Sequence, residues 1–427
     1  MLAALGFATI IAFLAAVMTG RVSALVALVL IPVVFGLLSG AGTGLGPMMQ
    51  DGLVTVAPVA IMVTFAILYF GLMIDRGLFD PMIRGILRLT KGDPLRICVA
   101  STVLTMLVSL DGDGATTFLI TIAALRPIYD RLGMSRLVMA TCIGLAAGIM
   151  NILPWGGPTA RAMAVLSAEA NQLFNPLIIP MAAGLAWSVV AAAILGLRER
   201  KRLGFSPGGA VAIDIEPAGA DKSTPRVFWF NAALTAILLV TLLSEALPLA
   251  VLFVLSFAVA LIVNCPSWEE QQKQLASHAS SVVLVSGLMF AAGIFTGILG
   301  GTKMIDAMST ATLSIIPTDA GAFLPVIVAI TSMPLSLAIT PDAYYFGVLP
   351  VLTKSAAILG LDPLQLGRAA LLGHTTTGFP LSPLLGSAFV LVGRSSVNFG
   401  ALQRAMFPWA FGSTVVMTAV AYALGVI

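Results

Sequence analysis

The chain has 427 residues, of which 59% are hydrophobic and only 10% are charged, and its mean hydropathy is +1.04. A soluble domain carries about 25% charged residues, because its surface must be polar. The composition therefore predicts an all-α membrane protein with many spans and excludes a soluble enzyme. The net charge of +3 does not indicate an anionic partner, since cations in membrane proteins gather in cytoplasmic loops.

Eight regular membrane spans are predicted from apolar runs. A helix needs roughly 20 mostly apolar residues to cross the hydrocarbon core. The first run is expected to be retained, because it lacks the basic start of a signal peptide and further spans follow it. The predicted spans are residues 2–18, 22–40, 52–74, 176–198, 227–246, 248–265, 280–301 and 404–426.

Two further apolar regions are interrupted in the middle by polar or turn-forming residues. Residues 95–128 contain SLDGDGATT, and residues 322–358 contain SLAITPDAYY. Each half has about 12 to 15 residues, which is too short to cross the bilayer at about 1.5 Å per residue. We therefore expect two re-entrant hairpins whose tips end inside the membrane.

Two other regions are long enough to cross but contain proline and glycine at mid-length. Residues 136–170 carry NILPWGGPTAR, and residues 364–396 carry GHTTTGFPLSPLLG. Such breaks leave backbone groups that lipid cannot satisfy, so they occur only against protein or a water-filled cavity. These regions are predicted to be broken helices.

The same order of spans and interruptions occurs twice. Residues 1–198 and 227–427 each contain three spans, a hairpin, a broken helix and a final span, and Asp113 aligns near Asp342. A re-entrant hairpin returns to its own side, so each half crosses five times and the second half must be inverted. The sequence thus predicts two inverted repeats, a pattern typical of transporters.

The positions of the cations support this topology. If the N-terminus lies outside, all but four of the 22 Lys and Arg residues fall in loops predicted to be cytoplasmic, as the positive-inside rule requires. The four exceptions are Arg161, Lys303, Lys354 and Arg368. We therefore expect both termini to be extracytoplasmic and residues 199–226 to form a flexible cytoplasmic linker.

Acidic residues lie at the tips of both predicted hairpins. Asp111 and Asp113 alternate with glycines at the first tip, and Asp342 lies at the second. Ionisable groups at bilayer depth are costly and mark ion or substrate paths. We predict that these carboxylates bind a hard divalent cation or carry protons. The alternative for each of them is a simple helix N-cap.

Polar residues also surround the two helix breaks, and this mixture suits carboxylate ligands. Arg161 can bind a carboxylate bidentately, and its alternative is a snorkelling interfacial arginine. Three roles stay open for His374: metal ligand, proton carrier or packed neutral imidazole. The predicted substrate-binding residues are Thr116, Thr117, Asn151, Gly157, Thr159, Arg161, Thr375, Thr376 and Ser382, and the predicted metal or proton groups are Asp111, Asp113, Asp342 and His374.

Other chemistry has little support in the sequence. It contains no Walker A motif, no HExxH and no Cys or His residues at zinc-binding spacing. An enzyme, an ATP-driven pump, a permanently bound cofactor and a nucleic-acid partner are therefore not expected.

Five long motifs stand out in the sequence: FAILYFGLMIDRGLFDPMI, KGDPL, LDGDGATTFLIT, NILPWGGPTARA and PDAYYFGVLPVL. They resemble motifs of the bacterial citrate–metal:proton symporter family, within the ion transporter superfamily, and the likeness covers nearly the whole chain. The resemblance implies uptake of citrate as a complex with a divalent metal such as Mg²⁺ or Ca²⁺, coupled to proton influx across the inner membrane. It also implies a substrate site among Asp111, Asp113, Thr116, Asn151, Gly157, Thr159, Asp342 and Thr376.

The superfamily resemblance further implies alternating access, in which hairpins and broken helices move against the remaining spans, and a homodimer by analogy. Two alternatives stay open. One is a Na⁺-coupled or proton-coupled carrier of another di- or tricarboxylate, because backbone carbonyls at the breaks suit Na⁺. The other is an ion channel with a carboxylate filter. A membrane receptor or scaffold would not need two acidic hairpins.

Overall fold

The computed structural model describes residues 1–19, 22–90, 92–204, 224–244, 247–313 and 323–427. All regular secondary structure in these ranges is helical, and none of it is β-strand. The predicted all-α class is confirmed.

All eight predicted regular spans are helices. Six stretches are long and apolar enough to cross a membrane, judged by length and composition in the described ranges, and five apolar helices are shorter. The chain is therefore a multi-pass membrane protein. The helices that match predicted spans are α1 (Leu2–Met18), α2 (Ala24–Leu38), α3 (Leu45–Asp75), α10 (Ile178–Arg202), α11 (Pro225–Ser244), α12 (Leu249–Asn264), α13 (Trp268–Gly301) and α19 (Phe399–Ala423).

The four predicted interruptions each separate two helices. A π-helical turn, Ala343–Val348, follows the second tip. The flanking helices are α5 (Pro94–Val108) and α6 (Gly114–Arg131), α7 (Arg136–Met150) and α8 (Gly157–Leu166), α15 (Leu324–Leu335) and α16 (Leu349–Ile358), and α17 (Pro363–Leu371) and α18 (Gly386–Ser395); the remaining helices are α4 (Asp80–Leu89), α9 (Ala170–Leu173) and α14 (Met304–Leu313).

The first hairpin region is longer than the sequence analysis predicts. A 3-10 turn, Ser109–Asp111, continues α5, so Pro94–Asp111 by itself is long and apolar enough to cross a membrane. The expectation that each half is too short is wrong for this stretch, because the helical path continues to Asp111 instead of ending before it. That each hairpin enters and leaves the membrane on the same side stays a prediction.

The predicted linker begins later than expected. Helix α10 runs to Arg202, and the Glu199 carboxylate accepts hydrogen bonds from the Ser135 amide at 2.8 Å and from Arg202 at 2.7 Å. Cations in the last turn of α10 also suit the negative end of the helix dipole. Residues 199–202 are therefore helical, and α11 begins at Pro225. Most of the linker, 205–223, lies outside the described residues, as do Arg21, Lys91 and Ala322.

Close packing of α3 on α13 builds one apolar core. The helices approach at glycines, since a Cβ on Gly293 would lie 2.6 Å from the Gly52 carbonyl oxygen. This core also includes α1, α2, α8 and α12, whereas a second cluster joins α5, α6, α7, α10 and α19. Small residues allow such backbone contact between membrane helices.

The broken helices cross from one half of the chain to the other. Helix α8 packs against α16, α17 and the π-helical turn, and α18 packs against α6 and α7. The second part of each broken helix therefore contacts the interrupted helices of the opposite half. Two inverted repeats stay a prediction, but these crossings bring the breaks together.

Candidate functional site

The first tip is a tight turn held by its own two carboxylates. Asp113 caps α6, because its side chain accepts hydrogen bonds from the amides of Ala115 at 3.0 Å and Thr116 at 3.3 Å and from the Thr116 hydroxyl at 2.5 Å. Asp111 is buried, and its Oδ1 accepts from the Asp113 amide at 3.0 Å and the Thr117 hydroxyl at 3.3 Å. The amides at the start of α6 are thus bonded to protein, and the capping alternative describes Asp113.

A glycine and a tryptophan stabilise this turn. Gly112 has a φ of +74°, a conformation that glycine adopts without strain. Trp155, from the first helix break, donates its indole N–H to the Leu110 carbonyl at 2.9 Å and stacks on Phe70 at 5.2 Å. The first tip is therefore attached to the break of the neighbouring broken helix.

The second tip has a different arrangement. Thr340, and not Asp342, provides the cap, since its hydroxyl accepts from the Ala343 amide at 3.4 Å. Asp342 makes no side-chain cap bond with the described residues. The π-helical turn that follows is a feature often found at functional sites. The two tips, whose residues Asp113 and Asp342 nearly align in the predicted repeats, are thus chemically distinct.

Asp342 forms an ion pair with Arg161. The Nε of Arg161 donates to Oδ1 of Asp342 at 2.8 Å, and the two side chains are only 15% and 12% exposed. The Nη1 of Arg161 donates to the Gly157 carbonyl at 3.0 Å, so the guanidinium folds back toward the start of α8. The snorkelling alternative does not describe Arg161, because its guanidinium binds protein groups.

The start of α8 is the part of this region best suited to an anion. Helix α8 begins at Gly157, and within the described residues no side chain caps it. Uncapped amides carry a partial positive charge at a helix N-terminus. Arg161 lies one turn into this helix. A full and a partial positive charge therefore lie at the same break.

The second break is buried around His374. Its Nδ1 lies 2.7 Å from the Thr375 hydroxyl, and its ring stacks on Tyr344 at 3.8 Å. Its Nε2 is buried and has no hydrogen-bond partner among the described residues, and the same is true of the Thr376 hydroxyl. Tyr345 donates to the His374 carbonyl at 2.9 Å. His374 is thus a tightly packed imidazole at the centre of the second break.

Thr375 joins three helical segments at this break. Its φ is +59°, its carbonyl accepts from the Asn151 side chain at 2.8 Å, and its amide donates to the Ser336 hydroxyl at 3.0 Å. The sequence analysis does not select Ser336. The sequence does contain a pattern that could have identified Ser336. It is the first residue of the break SLAITPD, just as Ser109 is the first residue of the break SLDGDG.

The other predicted residues make local bonds. The hydroxyl of Thr159 donates to the Ile152 carbonyl at 2.7 Å, and the hydroxyl of Ser382 accepts from the Leu384 amide at 3.3 Å. In the described part of the chain, no group of three or more His, Cys, Asp or Glu side chains could hold a metal ion. The four predicted metal or proton groups therefore do not form a metal cage made of protein alone.

A cavity of about 450 Å³ lies beside the first break. It is lined by Pro154, Met163, Glu169, Thr55 and Leu249, among others. Of the described residues, none of those predicted to bind substrate, metal or protons lines it. The cavity and the predicted site are therefore separate.

These features define a class of protein. Many apolar helices, helix breaks in contact with each other and a largely shielded ion pair between a broken helix and a hairpin tip are typical of a membrane transporter. The chain belongs to the citrate transporter family (CitMHS), whose model matches residues 9–373.

Curated relatives align over the whole length. A citrate transporter of Bacillus subtilis is 50% identical over all of both chains. A Mg(2+)/citrate complex secondary transporter of the same organism is 46% identical, over 100% of this chain and 99% of the relative. These relatives are transporters, so the expectation of a non-enzymatic protein is confirmed.

Two solved structures share the fold. The YdaH transporter of Alcanivorax borkumensis has a TM-score of 0.55 at 12% identity, over 90% of this chain and 88% of that one. MtrF of Neisseria gonorrhoeae has a TM-score of 0.61 at 15% identity, over 89% of this chain and 84% of that one. At this identity the similarity concerns the fold alone.

Proposed function

We propose that the protein is a secondary transporter that imports citrate as a complex with Mg²⁺ or Ca²⁺, coupled to protons, across the bacterial inner membrane by alternating access. The observation that carries this proposal is Arg161, a guanidinium only 15% exposed one turn into α8, a helix whose start has no side-chain cap among the described residues. A shielded arginine near a helix N-terminus favours a carboxylate ligand, because the guanidinium donates N–H groups to an anion and the positive end of the helix dipole attracts it.

The charge of citrate explains why a metal complex is the substrate. Citrate carries nearly three negative charges at neutral pH, and Arg161 is already paired with Asp342. Moving that charge through a low-dielectric site is costly, and a bound dication cancels most of it. The 46% identical relative named as a Mg(2+)/citrate complex secondary transporter supports the same substrate here.

In this proposal the metal is part of the substrate and not a resident cofactor. Citrate supplies most of its oxygen ligands, and Mg²⁺ and Ca²⁺ accept carboxylate, hydroxyl and carbonyl oxygens. Thr376 has a buried hydroxyl with no partner among the described residues, so it is available to the complex. Asp111 and Thr117 hold the first tip beside the breaks.

The proposed topology follows the sequence prediction. Both termini are extracytoplasmic, the linker is cytoplasmic, and the hairpins and broken helices move against a scaffold that contains α3 and α13. Contacts between opposite halves, such as those of α8 with α16 and α17, support joint movement of these elements. A homodimer is proposed by analogy with the superfamily alone.

Uptake of labelled citrate into proteoliposomes with an inward proton gradient tests the substrate. Mg²⁺, Ca²⁺, Zn²⁺ and Na⁺ are added singly, with a chelator as the control. We expect uptake that saturates, needs one divalent metal and is lost with the chelator. Arg161→Gln should abolish uptake. Arg198→Gln should retain uptake, because Arg198, on α10, lies over the ring of Trp409, on α19, and neither residue belongs to a break.

Other outcomes would identify the alternatives. Uptake that resists the chelator and follows a Na⁺ gradient would favour a Na⁺-coupled carboxylate carrier. Flux that does not saturate would favour a channel.

A further inference from the structure

The Arg161–Asp342 ion pair joins distant parts of the chain through a single hydrogen bond. The residues are 181 positions apart, and only Nε of Arg161 contacts Asp342, at 2.8 Å. A carboxylate that binds guanidinium bidentately makes two such bonds. The ion pair therefore has one hydrogen bond fewer than the bidentate complex that a substrate carboxylate can form with Arg161.

Asp342 does not cap the helical turn that follows it, in contrast to Asp113 at the first tip. Thr340 caps the turn that follows, whereas Asp113 at the first tip performs the cap itself. A buried carboxylate is costly when it is not paired. Its one described partner is Arg161, the same residue that we propose to bind substrate carboxylate.

We propose that Asp342 is an internal competitor of the substrate and the proton acceptor that couples transport to protons. This inference rests on the proposed function. In the empty carrier Asp342 neutralises Arg161. A substrate carboxylate displaces Asp342, and the released carboxylate takes up one proton from water to become a neutral carboxylic acid. When substrate leaves, the acid releases this proton and the ion pair forms again.

The surroundings of Asp342 favour this exchange. Arg161 is the cation from α8, and Tyr344, Tyr345 and His374 are the other ionisable groups near the π-helical turn. Helices α1, α13 and α16 also pack against this turn.

These three helices add little charge near Asp342. Helix α1 has no ionisable side chain, and the ionisable residues of α13 lie in its first third. In α16 the ionisable residue is Lys354, which pairs with Asp306 at 3.0 Å. Nothing described in these helices replaces Arg161 as the counter-charge, so a displaced Asp342 carboxylate would lack a protein cation, which favours its protonation.

Calorimetric titration of the purified full-length chain in nanodiscs with Mg²⁺ and citrate tests this inference. Repeating the titration in buffers of different ionisation enthalpy at pH 8 counts the protons taken up. Wild-type protein should take up about one proton per complex bound. Asp342→Asn should take up none and should bind about tenfold more tightly, because the competitor for Arg161 is lost.

Two variants serve as controls. Asp342→Glu keeps a carboxylate and should keep proton uptake. Asp93→Asn removes a carboxylate of the same 12% exposure that pairs with Arg200 away from the breaks, so it should leave both affinity and proton uptake unchanged.

Three results would overturn the inference. Weaker binding by folded Asp342→Asn would indicate that Asp342 contacts the metal of the complex. Proton uptake that persists in Asp342→Asn would assign the proton to another group, with His374 as the first candidate. Failure of the wild-type protein to bind magnesium citrate would overturn the proposed function, and this inference with it.

Discussion

The side-chain amide of Asn151 donates a hydrogen bond to the backbone carbonyl of Thr375 at 2.8 Å, across 224 positions of the chain. This bond ties the break of the first broken helix to that of the second. Thr375 is buried, so its carbonyl has no ready replacement for this donor. The two breaks therefore form one polar unit.

Replacing Asn151 with Ala should lower both stability and uptake. The Thr375 carbonyl would lose its donor, which costs about 1–3 kcal/mol in a buried setting, and the two breaks would no longer be joined. Thermal unfolding and citrate uptake measure the two effects. Asn231→Ala is the matched control, because Asn231 and Asn264 bond to each other at 2.8–2.9 Å between α11 and α12.

The Asn231→Ala control should lose comparable stability and keep its citrate uptake. If Asn151→Ala behaves in the same way as Asn231→Ala in uptake, the link between the two breaks has no role in transport.

Replacing Asp113 should reveal its role as a helix cap. Asp113→Ala removes the acceptor for the Ala115 and Thr116 amides and should cost about 0.5–2 kcal/mol of stability. Asp113→Ser keeps a capping oxygen and should cost less. Thermal unfolding of the purified variants compares them. Equal losses in the two variants would show that the carboxylate charge, and not the cap, stabilises the first tip.

Replacing Gly112 with Ala should destabilise the first tip strongly. The φ of +74° costs an alanine about 1–2 kcal/mol, and the new Cβ would lie 2.7 Å from Cδ1 of Trp155. Gly46→Ala in α3 is the control, because a Cβ at Gly46 would meet no atom within 4 Å among the described residues outside its own stretch of helix, and helical alanine is favourable. Thermal unfolding of the purified proteins compares the two variants. If both unfold at the same temperature as the wild type, the result would argue against a tight turn at Asp111–Asp113.

The positions of spans and breaks could be predicted from sequence because they depend on local composition. Apolar runs gave the eight regular spans, and glycine and proline marked the four interruptions. The length of the first hairpin could not be predicted in this way. Ser109, Leu110 and Asp111 look like the start of a break, yet they continue α5 as a 3-10 turn.

The partners of the candidate residues depend on long-range packing, which leaves no local signal. Asp342 was expected to match Asp113, but Thr340 supplies a capping hydroxyl two residues earlier, and α8 brings Arg161 to the carboxylate. The sequence contains both residues, and only the crossing of α8 to the other half brings them together.

Uphill accumulation of citrate is the most direct test of the account. Proteoliposomes with equal Mg²⁺ and citrate inside and outside receive an inward proton gradient, and internal citrate is followed with time. The account predicts accumulation that a protonophore abolishes and that Asp342→Asn, although it still binds magnesium citrate, cannot support. Accumulation that persists with the protonophore and depends on a Na⁺ gradient would contradict proton coupling and the proposed role of Asp342.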